Sequence, residues 1–272
     1  MENTDKIRLF DSHAHYFDKR FDEVGGADGI LRNEVYGNRV SRVINVGTNN
    51  TNNLLCIEQA ARYDGMYAAV GIHPEDARYC EGDAPSEIAE LERIIGDVGN
   101  RKEKKIVAIG EIGLDYHYEG FDKVRQAEFF DAQMELAKKL DMPVIIHDRE
   151  AHGDCFETVL RHPEVRGVFH SYSGSAEMAA ELVRRGWYIS FSGVLTFKNA
   201  SRIKDVAASI PCERLLIETD APYLAPHPHR GKMNHSGLMI YTVEALAEIK
   251  GVSLSKIAEI TYNNADELFR IK

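Results

Sequence analysis

Short apolar runs and longer amphipathic stretches alternate along this chain from one end to the other. The runs Ile7–Phe10, Val43–Val46, Tyr67–Gly71, Ile106–Gly110, Pro143–Ile146, Gly167–Phe169, Trp187–Ser190 and Leu215–Glu218 are apolar at successive positions. Strands that alternate apolar and polar residues have one wet face. Continuous runs are expected of parallel strands buried on both faces. The stretches between them carry helical spacing. Phe121–Leu140 is the clearest: Val124, Ala127, Phe130, Met134, Ala137 and Leu140 fall near one face, with charged residues opposite. Pro143 marks the restart as a strand just after that helix stops. Further helices are expected near Thr51–Tyr63, Pro85–Val98, His152–Arg161, Ser175–Arg185, Asn199–Ser209, Gly237–Lys250 and Ser253–Phe269.

Strands alternating with helices imply right-handed βαβ units and a parallel sheet. Eight such strands in 272 residues favour an α/β fold closed as a (β/α)8 TIM barrel over an open sheet. No Pro/Gly/Ser-rich linker, internal repeat or low-complexity tract interrupts the pattern, so residues 1–272 are expected to form a single domain.

Composition changes the picture in three places. Hydrophobic residues make up 44% of the chain, enough for a large core. The four cysteines, Cys56, Cys80, Cys155 and Cys212, are scattered without a CxxC pair, which suits reduced thiols better than a disulfide framework or a thiolate zinc site. The formal net charge of −10 argues against a broad basic surface that grips nucleic acid, yet leaves room for an enzyme acting on strand ends. No apolar stretch approaches the roughly 20 residues that span a bilayer. The first residues lack a basic segment followed by an apolar run, so no secretory leader is expected and a cytoplasmic location is.

In a barrel the reacting groups sit where strands end and the following loops begin. Those ends give Asp11, His13 and His15 after strand one, then His73, Glu111, His147, His170 and Asp220 after strands three, four, five, six and eight. Nearly all are metal-ligand or acid–base types. His13 and His15, two apart on an extended chain, point to the same side and could hold one ion; the alternative is a polar pair on a solvated loop. His227 and His229 have the same spacing, but prolines around them place them in a loop, as structural or peripheral residues. Glu111 follows an apolar run, where a carboxylate is costly unless it is paired or bound to metal, and its two oxygens could bridge two ions. His147 and His170 each close a short apolar strand. Asp220, followed by Ala221-Pro222, could bind metal and take a proton from water, or could cap a turn. Mixed imidazole and carboxylate ligation suits Zn, Mn, Co or Fe, with Mg possible at lower affinity. Tyr116 and His117 line the rim or pack as aromatics, and His152 and His162 read as surface histidines.

The segments DSHAH, GIHP, EIGLDY, PVIIH, HSYSG and ETDAPYLAP, in this order, resemble the TatD-related metal-dependent hydrolases from about Ile7 to the C-terminus. The resemblance implies an amidohydrolase-like barrel with two divalent metal ions, Mg, Mn or Zn. It implies that His13, His15 and Asp220 hold one ion, that His147 and His170 hold the other, and that Glu111 bridges them. It further implies phosphodiester hydrolysis, with DNA the usual substrate, trimmed from strand ends in the manner of a 3'–5' exonuclease; Asp220 and Glu111 would be catalytic. His73, Lys198 and Arg230 match positions near the substrate, where Lys198 could equally be a solvated loop residue and Arg230 could pair with a surface acid. Where family members more often carry Asn-Glu-Pro, this chain has Asn234-His235-Ser236. The alternative activity is that of an amidase, lactonase or deacylase using the same metals, because one barrel hosts many chemistries.

Overall fold

The computed structural model describes residues 7–271. Its strands are β1 (Leu9–Ala14), β2 (Val40–Val46), β3 (Met66–Val70), β4 (Ile106–Asp115), β5 (Val144–Arg149), β6 (Gly167–Phe169), β7 (Tyr188–Phe191) and β8 (Leu215–Ile217). They follow one another in chain order across one sheet, and the pairs β1–β2, β3–β4, β4–β5, β5–β6 and β7–β8 are parallel. A parallel bridge between Ala14 and Ala221 brings the segment after β8 back to β1. The fold is the (β/α)8 barrel expected from the alternating pattern.

Two compact units make up the chain, Met1–Asn45 with His170–Lys272, and Val46–Phe169. In the first, Phe10 of β1 packs against Tyr262 and Phe269, with ring centroids 5.7 and 6.1 Å away. Both partners lie on the helix Leu254–Phe269, which starts where the Ser253 side chain accepts from the Lys256 amide. Buried Asn264 on that helix donates to the carbonyls of Cys212 and Leu215 at 2.8 and 2.9 Å, fixing where β8 begins.

In the second unit the helix Lys123–Leu140, capped by Asp122, covers β4. Phe130, Met134 and Ala137 are buried as the apolar spacing predicts, but the N-terminal end of the buried face differs. Val124 is 69% exposed, and the buried face runs through Gln126, Phe129, Phe130, Gln133, Met134 and Ala137. The reason lies in two amides. Gln133 clamps the Ile72 backbone, accepting from N at 2.7 Å and donating to O at 3.0 Å. Gln126 does the same to Asp115, at 2.9 Å in both directions. A side-chain amide offers the same donor and acceptor as a peptide, so each glutamine supplies the pairing that a strand would.

Other departures are local. β1 and β4 run past their apolar cores, so Asp11, Ser12, His13 and Glu111 sit inside strands instead of just after them. The strands continue because the polar residues find partners: the Glu111 amide donates to Gly47 O at 3.1 Å. Gly47 must lack a side chain, because a Cβ there would stand 2.1 Å from Asn53 Oδ1. The helix expected over Pro85–Val98 spans Ala84–Ile95, ending where Gly96 takes φ 72°, and a short helix Val98–Glu103 follows it. His162, expected at the surface, is buried between Asp131 and Glu135, at 2.9 and 3.1 Å. All four cysteines are free. Among the described residues no helix is long and apolar enough to cross a membrane.

Candidate metal centre

In the first unit, alternation along β1 points His13 and His15 the same way, and their Nε2 atoms stand 3.0 Å apart. Asp220 closes the triangle: its Oδ1 lies 3.7 Å from His13 Nε2 and 3.4 Å from His15 Nε2. All three are removed from bulk water, with His13 fully buried and the Asp220 side chain 17% exposed. Asp220 reaches this position from a left-handed backbone, φ 59°, which non-glycine residues seldom adopt. The turn is held by the Asp220 amide donating to His13 O at 2.9 Å and the Tyr223 amide donating to Asp220 O at 2.8 Å. Burial alone would push the Asp220 carboxyl up, but His15, His13 and His170 together hold it below the usual carboxylate range.

His170 stacks on His13 with ring centroids 4.0 Å apart. Its Nδ1 faces Glu218 Oε1 at 3.2 Å, and the same oxygen accepts the Ser171 amide at 2.8 Å. A carboxylate can only accept here, so Glu218 selects the tautomer with hydrogen on Nδ1 and keeps the lone pair on Nε2. Beneath this group, Asp11 accepts from Thr219 N at 3.0 Å, Thr219 Oγ1 at 2.5 Å and His13 N at 3.2 Å. Burial pushes Asp11 up to about 7, opposed by those bonds and one from Ser236.

In the second unit His147 stands between two carboxylates, with Nδ1 2.6 Å from Glu111 Oε1 and Nε2 3.0 Å from Asp115 Oδ2. Burial pushes Asp115 up, but the hydrogen bond and charge of His147, the His117 amide and His73 outweigh it and the carboxyl is lowered. His73 completes the group, its Nε2 3.8 Å from Glu111 Oε1 and its ring centroid 4.4 Å from that of His147. Its Nδ1 accepts the Glu75 amide at 3.1 Å, so the neutral ring carries its hydrogen on Nε2, toward Glu111.

Both groups fit a divalent cation. In each, three candidate side-chain atoms lie within 4.8 Å of one another; with its hydrogen on Nε2, His73 leaves Glu111 and His147 as the ligand atoms of the second group. Tetrahedral ligands about 2.0–2.1 Å from an ion stand roughly 3.3 Å from each other, the scale of the His13–His15–Asp220 triangle. In the second group a neutral His147 has one hydrogen, and Asp115 and Glu111 are both acceptors. With hydrogen on Nε2 toward Asp115, Nδ1 and Glu111 Oε1 both present lone pairs, which a cation satisfies at once.

The loops after β7 and β8 carry the two expected cations. Lys198 is exposed, and the Arg230 guanidinium lies over the ring of its neighbour Phe197, with Cζ 4.5 Å from the centroid. Neither belongs to the ligand groups. His229 bonds the Tyr241 hydroxyl at 3.1 Å, and His227 is exposed. Asn234 donates to the carbonyls of Thr219 and Tyr223 at 2.9 and 2.7 Å, on either side of Asp220. In the departing segment Ser236 bonds the Tyr16 hydroxyl, at 2.7 Å through Oγ and 2.9 Å through N. Asp115 and Glu218, which contact His147 and His170, are the candidate site residues that sequence reasoning missed. Each lies an even number of residues from a ligand, four after Glu111 and two before Asp220, and that spacing was the signal available.

Residues 10–270 match the family described as TatD related DNase. The chain belongs to the TatD family. A TatD relative, the uncharacterized metal-dependent hydrolase YabD of Bacillus subtilis (strain 168), is 40% identical over 266 residues, covering 97% of this chain and 99% of its own. The uncharacterized metal-dependent hydrolase YcfH of Escherichia coli (strain K12) is 39% identical over 211 residues, 76% of this chain and 75% of its own. Among solved structures, that of the TatD homologue YjjV from Escherichia coli K12 superposes with a TM-score of 0.88 at 29% identity, covering 98% of this chain and 99% of that one. The chain is thus a metal-dependent hydrolase of the TatD family on an amidohydrolase-like barrel.

Proposed function

We propose that this chain is a two-metal phosphodiesterase that shortens nucleic-acid strands from an end, DNA being the expected substrate. The observation that carries the reading is the His13–His15–Asp220 triangle, two buried imidazoles and a half-buried carboxylate with edges of 3.0, 3.4 and 3.7 Å. His13, His15 and Asp220 would hold one ion, and in the second unit Glu111 and His147 would hold another. Bound divalent ions supply Lewis acidity, lowering the pKa of water and neutralising charge on a phosphoryl group. The remaining work belongs to side chains. Asp220, kept ionised by its histidines, accepts the proton of the attacking water. His73 presents Nε2–H as a donor to a phosphate oxygen. Asp115 and Glu218 orient His147 and His170, as outer carboxylates do for metal-bound imidazoles. Lys198 and Arg230 offset phosphate charge from the rim.

End-labelled single-stranded DNA and RNA test the reading, offered to chelated protein and to protein resupplied with Mg, Mn or Zn. Stepwise shortening restored by metal, and lost together with metal content in His147→Ala, is the expected result. Intact strands with every metal, alongside cleavage of a panel of esters or amides, would leave the ligands standing and remove the phosphodiester assignment.

A further inference from the structure

Tyr223 follows Asp220 by three residues, and its ring lies beside His15 with centroids 6.4 Å apart. Its only polar side-chain atom is already occupied: the hydroxyl donates to Asp18 Oδ2 at 2.6 Å. Even so the residue is 37% exposed, so a flat apolar surface faces solvent next to the ligand triangle. Arg20, in the turn after β1, lays its guanidinium over this ring with Cζ 4.4 Å from the centroid. The arrangement is braced from below, because Asp18 Oδ1 also accepts the Arg20 amide at 2.8 Å. Asp18 thus serves a hydroxyl and an amide, while the Arg20 side chain makes no ion pair among the described residues. Phe17 flanks His15 as well, its centroid 5.7 Å from the imidazole.

An exposed ring beneath an unpaired guanidinium is suited to a ligand that is both flat and anionic. Unstacked nucleobases bind by stacking on aromatic faces or on the guanidinium plane, and the guanidinium N–H groups can reach phosphate oxygens as well. We infer that Tyr223 and Arg20 form a nucleobase subsite for the terminal nucleotide of the strand, next to the His13–His15–Asp220 triangle. This inference rests on the phosphodiester reading above and adds to it which part of the substrate is gripped. Stacking tolerates every base, so the subsite favours a free strand end over paired duplex without selecting sequence.

The test compares two short oligothymidylates, one natural and one whose terminal nucleotide lacks its base, on Mn-loaded protein. In the wild type, base removal should lower kcat/KM roughly 10- to 100-fold, the range of one base–aromatic stack. Tyr223→Leu and Arg20→Ala should shrink that base effect to about threefold or less, while Tyr223→Phe, which keeps the ring, should retain it. Fluorescence anisotropy of the same oligonucleotides on metal-depleted protein should show the same pattern in affinity, free of turnover. Thermal melts confirm that each variant is folded, and Tyr223→Phe keeps the comparison open if the leucine variant is not. Equal cleavage of both oligonucleotides by the wild type, or an undiminished base effect in Tyr223→Leu, would overturn the subsite and leave the nuclease reading intact. Failure to cleave or bind either strand would remove both.

Discussion

Asp220 meets two demands with one residue. It must place a carboxylate between two buried imidazoles, and it must turn the chain in a left-handed conformation. Aspartate and asparagine tolerate that backbone because their short polar side chains bond locally; alanine does not. The two demands should therefore separate by mutation. Asp220→Asn should melt within about 0.5 kcal/mol of the wild type, whereas Asp220→Ala should lose roughly 1–2 kcal/mol of stability. Both should lose at least about 100-fold in kcat, because neither can take a proton from water. Denaturant melts and turnover measured on the same samples check this, and an active asparagine variant would remove the proton-acceptor role. At this scale the sequence was informative where chemistry is local. His13 and His15 share a side because they are two residues apart, and the structure sets their nitrogens 3.0 Å from one another. Asp115 and Glu218 were not legible, since each acquires its role from a histidine 32 or 48 residues away.

The elements were found more easily than their edges. Apolar runs located all eight strands, because a strand buried on both faces must be apolar along its length. The same signal ended β1 and β4 too early, where Asp11, His13 and Glu111 continue the strand as buried polar residues with partners. In the helix Lys123–Leu140 it found Phe130, Met134 and Ala137 on the buried face but misplaced the N-terminal end of that face. Counting apolar residues put Val124 inside and left the glutamines unread, whereas Gln126 and Gln133 are 3% and 1% exposed. A glutamine that pairs with a backbone segment has the same letter as one in solvent. Gln133→Leu keeps the size but leaves the Ile72 amide and carbonyl without partners, at a cost of about 1–3 kcal/mol. His73 follows Ile72 directly, so turnover should fall further than the urea midpoint alone accounts for. A variant with wild-type stability would show that water replaces the amide.

At the scale of the whole molecule, the formal charge of −10 and the small number of rim cations lead to one expectation. Affinity for a strand should depend weakly on salt. If Lys198, Arg230 and Arg20 are the phosphate contacts, three neutralised charges give a slope of log K against log salt near −2 for single strands. A titration between low and physiological salt measures it. A slope several times steeper would require a basic surface that this composition does not provide. The barrel itself was legible from the alternation of runs and helices, because parallel strands need crossover connections whatever the residues between them.

The two buried glutamines also constrain how this chain can change over evolutionary time. Gln126 and Gln133 are seven residues apart, about two helical turns, so one rigid cylinder sets the pieces of backbone beside His73 and His147. Inserting or deleting a single residue between them would swing one amide about 100° around the helix and release one of its two grips. Drift in length among relatives should therefore gather in the loops and helix ends, and the interval between these two positions should stay fixed.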